Sequence, residues 1–217
     1  MITEESIRQF SENCENIFTQ IRCDVIGQQE VVEGTVIAMI AGGNVLLEGV
    51  PGVGKTRLVR TLGRVFDMPF SRIQFTPDLM PADVTGTNII TKDENGNSTF
   101  RFEPGPIFAN LILADEINRA TPKTQSALLE AMQEREVSIG GKTYKLPEVF
   151  VVIATQNPIE SEGTYVLSEA QLDRFLMKIN MGYPKKDDEV LILNRFLKED
   201  PSKGLSTVAT CEDIAVM

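Results

Sequence analysis

Gly49, Gly54, Lys55 and Thr56, within "LLEGVPGVGKTRL" at residues 46 to 58, stand at the spacing G-x-x-x-x-G-K-[ST]. Glycines at those steps let successive backbone N–H groups converge on a phosphate, and a helix that starts directly after them favours negative charge at its N-terminus. Lys55 then reaches toward the outer phosphates, and the Thr56 hydroxyl suits the shell of a magnesium ion. A glycine-rich turn is the alternative. The flanks argue against it: "NVLLEGV" reads as a buried strand, and Leu58, Leu62 and Val65 recur at helical spacing after the loop.

A second group follows in "LILADEINRA". An apolar strand ends in Asp115, a carboxylate suited to holding magnesium through its water shell, and Glu116 comes next, where a carboxylate can orient and polarise an attacking water. An acidic pair that caps the next element is the other reading. Asn157, after "VFVVIAT", lies at a strand end where ligands gather in open α/β sheets; ahead of Pro158 it also suits a plain turn. In "LSEAQLDRFL", Ser168 and Gln171 fit a capping box that puts Arg174 near the end of a short helix. That arginine either pairs with Asp173 at the surface or serves as an arginine finger on a transferring phosphoryl group.

The chain of 217 residues contains no histidine, which removes the usual general base, the usual zinc ligand and any Ser-His or Cys-His nucleophile. Phosphoryl transfer needs none of these. "DVTG" at 83 to 86 resembles a guanine-nucleotide motif, but it follows "LMPA" rather than an apolar strand, and no N-K-x-D guanine reader occurs, so adenine is the expected base. A net charge of -10 argues against a surface that tracks nucleic acid or anionic lipid. Cys14, Cys23 and Cys211 are odd in number and widely spaced, which points to reduced thiols rather than a disulfide framework or a metal site. No apolar run is long enough for a membrane span and "MITEESIRQF" is unlike a signal peptide, so a cytoplasmic location is expected.

The elements that must position these residues follow from periodicity. Ile7, Phe10, Cys14, Ile17 and Ile21 predict an amphipathic helix that starts at Thr3, Glu4 and Glu5; "QEVVEGTVIAMIAGG" predicts a second. "SRIQF", "ANLILADEI" and "EVFVVIATQN" read as strands buried on both faces, separated by helices such as "TPKTQSALLEAMQER", which argues a parallel sheet with crossover helices. Two hairpins interrupt the alternation. One spans 88 to 103 and turns at Asn95-Gly96, with Phe100 and Phe102 on one face; the other spans 136 to 146 and turns at Gly140-Gly141. They are either edge decorations or levers on a partner.

"GVPGVGKT", "LADEINRA", "ATQNP" and "EAQLDRF", in that order, resemble the MoxR family of AAA+ ATPases over about residues 22 to 200. The resemblance implies an α/β fold: a P-loop AAA+ core of three α/β/α layers, with a mostly parallel five-stranded sheet and two hairpin insertions, over residues 1–184. It makes the loop from Gly49 to Thr56, with Gly52 and Val53, Walker A, and counts Arg57 beside it among the nucleotide-binding residues. Asp115 and Glu116 become Walker B, Asn157 sensor 1, and Arg174 an arginine finger on the neighbouring subunit's nucleotide. Val25 and Ile26 sit where the family packs adenine, and Arg119 is a further residue that can face the neighbour. ATP and magnesium, a homo-oligomeric hexamer, a chaperone-like role in the remodelling or maturation of a client protein complex, and a von Willebrand factor A domain partner are implied as well. A nucleotide-gated module with little hydrolysis and a nucleic-acid motor are the competing functions. One departure stands out: the family pattern continues through an α-helical lid with a sensor 2 arginine, whereas residues 185–217 hold one lid-like helix, so the chain reads as truncated.

Overall fold

The computed structural model describes residues 3–92, 96–158, 163–198 and 201–216. In chain order the elements begin with helices α1 (Glu4–Asp24) and α2 (Gln29–Ile40), then β1 (Val45–Glu48), α3 (Lys55–Val65) and β2 (Phe70–Gln74). A short helix α4 (Pro81–Thr85) leads to β3 (Gly86–Lys92) and β4 (Ser98–Pro104). There follow β5 (Leu111–Asp115), a 3-10 turn (Ile117–Arg119), α5 (Pro122–Glu134), β6 (Glu136–Ile139), β7 (Lys142–Lys145) and β8 (Val151–Gln156). The last elements are α6 (Glu169–Leu172), β9 (Met177–Asn180), α7 (Lys186–Lys198), a second 3-10 turn (Pro201–Gly204) and α8 (Cys211–Val216).

Five strands form one sheet in the order β2-β5-β8-β1-β9, and every pair in it is parallel. The antiparallel pairs lie apart from it, as the hairpins β3-β4 and β6-β7. Strand period two divides the core cleanly. Val45 and Leu47 face a cluster with α1, α2 and α3, while Leu46, Ile112, Ala114, Val152 and Ala154 face a second cluster with α4 and α5. This is a three-layer α/β/α arrangement. Leu47, fully buried, belongs to the class whose truncation to alanine costs about 2–5 kcal/mol.

The strand ends need this sheet to hold them, and three sequence expectations change with it. β2 is not buried on both faces: it is the sheet edge, and among its residues only Ile73 is buried. The fifth strand, β9, carries no apolar run of its own and was not legible from periodicity; it exists because it pairs with β1, Val45 opposite Met177 through Glu48 opposite Asn180. The predicted stripe on α1 is only half used. Thr3 caps that helix by accepting the Ser6 N–H at 3.1 Å, and Ile17 and Ile21 are buried, but Ile7 and Phe10 are 58% and 40% exposed.

The hairpins share a contact. Phe102 of β4 stacks on Tyr144 of β7 with ring centroids 4.0 Å apart and meets Phe108 edge-on at 5.5 Å. Phe100, two residues away on the same face, is 78% exposed. Gly140 and Gly141 both have positive φ, 60° and 78°, as a two-residue type I′ turn requires. Asn95 of the other predicted turn lies outside the described residues.

Beyond residue 184, α7 is fastened to the end of α1, where Arg195 Nη1 donates to the carbonyls of Arg22 and Cys23 at 3.1 and 2.6 Å. It leaves Leu191, Leu193 and Leu197 exposed. The chain then turns back: the N–H groups of Val208 and Ala209 donate to the Val65 carbonyl, and Ala209 and Ile214 join the cluster around α1 to α3. Burial pushes the Cys211 thiol up, with help from nearby Asp67, so it stays protonated in this packed setting.

Candidate nucleotide site

The carboxyl ends of β5, β8 and β1 lie side by side, which places the loop after β1, the acidic pair at the end of β5 and the residue after β8 at one edge of the sheet. The Gly49 N–H donates to the Gln156 carbonyl at 3.2 Å, continuing the β1-β8 ladder into the loop. A Cβ on Gly49 would run into the Met181 carbonyl, so the tight strand exit demands glycine. Gly52 and Gly54 have φ of 85° and 99°, a region closed to most side chains, and nothing approaches within 4 Å of where a Gly52 Cβ would stand. The loop therefore presents backbone to open space. Lys55 starts α3 and folds back so that its Nζ donates to the Gly49 carbonyl at 2.5 Å, and Thr56 follows, half-buried, in the first turn.

Asp115 and Glu116 are each held. The Thr155 hydroxyl donates to Asp115 Oδ1 at 2.6 Å and accepts the Glu116 N–H at 2.9 Å, so one buried side chain on β8 fixes both members of the pair. Arg72 donates from Nε and Nη2 to Asp115 Oδ2 at 3.1 and 2.7 Å. Gln74 Nε2 donates to Glu116 Oε2 at 2.9 Å, and Arg119 Nη1 lies 3.4 Å from the same oxygen. Glu116 has left-handed backbone, φ 58° and ψ 48°, which costs a non-glycine residue about 1–2 kcal/mol and turns its side chain out of the strand direction.

Beside the loop opens a cavity of about 510 Å³, the size range of small-molecule sites. Val25, Ile26, Val53, Met181, Ile192 and Phe196 supply apolar walls, and Gly52 and Gly54 close it toward the loop. Its polar corner is Arg57. That guanidinium pairs with the buried Asp24 carboxylate, which also accepts the Thr61 hydroxyl at 2.5 Å, and it lies 4.6 Å from the centroid of the Phe196 ring on α7. One arginine thus connects α1, α3 and α7 at the cavity wall.

The structure brings Val25, Ile26, Gly52, Val53, Gly54 and Arg57 together around one cavity, and Gly49, Asp115 and Asn157 to one sheet edge; Asn157 is buried there. Arg174 is elsewhere. It is exposed just past α6, whose start is held by the Ser168 N–H donating to Gln171 Oε1 at 2.8 Å, and it lines a separate depression with Glu130 and Glu134 of α5. Arg119 is paired within its own chain, with Glu116. Sequence reasoning missed Arg72, Gln74 and Thr155. The signal was present in "SRIQF", where Arg72 and Gln74 are polar at period two in a segment otherwise taken as buried.

A phosphate cradle of free-facing glycine backbone and an apolar cavity of nucleoside size fit an adenine nucleotide, and the Thr56 hydroxyl with the Asp115 carboxylate is an oxygen donor set of the kind magnesium takes. Comparison with known proteins gives the family. Residues 44–177 match the model of the "ATPase family associated with various cellular activities (AAA)". The chain is 54% identical over 181 residues to Chaperone MoxR1 of Mycobacterium tuberculosis, covering 83% of this chain and 47% of that protein. It is 51% identical over 189 residues to the uncharacterized protein YeaC of Bacillus subtilis, covering 87% of this chain and 58% of that protein. A solved structure of a candidate ATPase from Cytophaga hutchinsonii superposes with a TM-score of 0.86 at 44% identity, over 97% of this chain and 63% of that one. The chain spans about half the length of the curated relatives it matches. Strand order, the loop and acidic pair it brings together, and these likenesses converge: the chain belongs to the MoxR family of AAA+ ATPases.

Proposed function

We propose that this chain binds Mg-ATP at the edge formed by residues 49–57, 115–116 and 157, hydrolyses it, and uses the cycle to remodel or mature partner protein complexes. The observation that carries this reading is the pairing of Asp115 with Glu116 beside the glycine loop: one carboxylate suits the metal, and its neighbour, turned out by a left-handed backbone, suits the attacking water. Lys55 neutralises charge on the outer phosphates, the loop N–H groups orient them, and Asn157 positions the water. Thr56 and Asp115 would hold magnesium, which, when bound, would neutralise charge on the phosphates. Val25 and Ile26 pack the base, and Arg57 keeps that wall in place through Asp24.

On the family resemblance, Arg174 acts on the nucleotide of a second copy in a homo-oligomeric ring, a hexamer in this reading; its place outside the cavity of its own loop supports that role. The name of the M. tuberculosis relative supports the chaperone role; the client, and a von Willebrand factor A domain partner, come from the resemblance alone. No helix among the described residues is long and apolar enough to cross a membrane, and the three free thiols suit a reducing, cytoplasmic setting. A second reading, a nucleotide-gated module with little turnover, draws on the fact that both acidic side chains already have partners in this state.

The test is the phosphate-release rate per subunit across a wide range of protein concentration. A rate that climbs with concentration and disappears in Arg174→Ala supports trans hydrolysis. A rate near zero at every concentration, with ATP bound, favours the gated module.

A further inference from the structure

Asp115 carries a resident counter-charge. Its side chain is only 11% exposed, and a carboxylate so far from water needs a cation or a dense set of donors. Thr155 supplies one hydrogen bond to Oδ1; Arg72, reaching over from the edge strand β2, supplies two to Oδ2. The same Nη2 also donates to Gln74 Oε1 at 2.7 Å. That bond orients the Gln74 amide, because an oxygen engaged by Arg72 leaves the NH2 group facing Glu116, where it donates at 2.9 Å. A continuous path therefore runs from Asp115 through Arg72 and Gln74 to Glu116.

We infer that Arg72 is a positioning residue that holds the metal-side carboxylate in the absence of a divalent ion and competes with that ion for it. A guanidinium that forks onto one carboxylate oxygen places a full positive charge beside the donor the metal needs. Arrival of the ion works against that charge.

The inference rests on reading Asp115 as the metal-side residue, and its test separates the two. The whole chain is saturated with ADP and titrated with Mn2+, and free Mn2+ is followed by electron paramagnetic resonance; ADP affinity is measured in parallel in EDTA. Arg72→Met, which keeps the length of the stem but no charge, is expected to bind Mn2+ on the order of tenfold more tightly, the size of one charge acting on a dication a few ångströms away in largely aqueous surroundings. Arg72→Lys keeps the charge and stays within about twofold of the parent. ADP affinity in EDTA stays unchanged in both. Unchanged or weaker Mn2+ binding in Arg72→Met overturns the inference while leaving the site reading intact. If the parent protein with ADP binds Mn2+ no better than ADP alone does, both fall together. Should Arg72→Met not fold, Arg72→Gln carries the same expectation, because it too removes the charge.

Discussion

The carboxyl edge of the central sheet and the pair of hairpins are built on opposite terms. At the sheet edge, Asp115, Glu116, Thr155, Arg72 and Gln74 are linked so that each side chain serves at least one other, and most of the linkage is buried or half-buried. The hairpins stand on two-stranded ladders and the Phe102–Tyr144 stack between them; β6-β7 roots Val137 in the core, while β3-β4 leaves Ile90 and Phe100 exposed. A linked network fails as a unit, whereas a two-stranded hairpin outside the main sheet loosens locally. The first arrangement suits chemistry that needs fixed positions; the second suits a part that moves.

The largest effect is expected where the network meets the reaction. Glu116→Gln keeps the size and the Gln74-facing position but cannot take a proton; turnover should fall by about 10⁴ with ATP still bound, as read by single-turnover phosphate release and equilibrium binding. Undiminished turnover would break the assignment of the base. Next comes Arg174→Ala, which leaves the network untouched; the rate should fall by about a thousandfold only where subunits are assembled. An equal loss in dilute, dissociated protein would place that arginine in cis and remove the argument for a ring.

Stability tests sharpen the contrast further. Asp24→Ala leaves Arg57 half-buried without its carboxylate at the cavity wall and should lower unfolding free energy by about 3 kcal/mol in urea titration. A loss below about 0.5 kcal/mol would show that water replaces that ion pair freely. The smallest effect belongs to the hairpins. Phe102→Ala should cost about 1 kcal/mol beyond its buried area, yet amide exchange should speed up in both β3-β4 and β6-β7 and stay slow in β5 and β8. Faster exchange spreading into β5 would mean that the hairpins and the sheet edge are one cooperative unit after all.

Local rules reach far into this molecule. The glycine loop, the apolar strand that ends in an acidic pair, the Thr3 cap and the two consecutive glycines of the second hairpin are each specified within a few residues, because backbone conformation and helix or strand period are short-range properties. The same reasoning stumbled where burial depends on a neighbour. β2 has apolar residues enough to look central, but sheet order leaves one side of it open, and β9 becomes a strand only because β1 offers an edge. The exposed half of α1 likewise follows from where the core stops, a fact its own periodicity does not contain.

By itself, then, the sequence determined the chemistry on offer: a glycine loop with the spacing of a phosphate site, two carboxylates and an amide, with no histidine to suggest any other catalyst. Tertiary structure decided how those groups are held. Arg72 and Asp115 are 43 residues apart, and Thr155 stands 40 beyond Asp115; parallel pairing of β2, β5 and β8 alone brings them into contact. Strand order arises from burying both faces of a sheet under two layers of helices, a long-range balance of apolar area that no local spacing encodes.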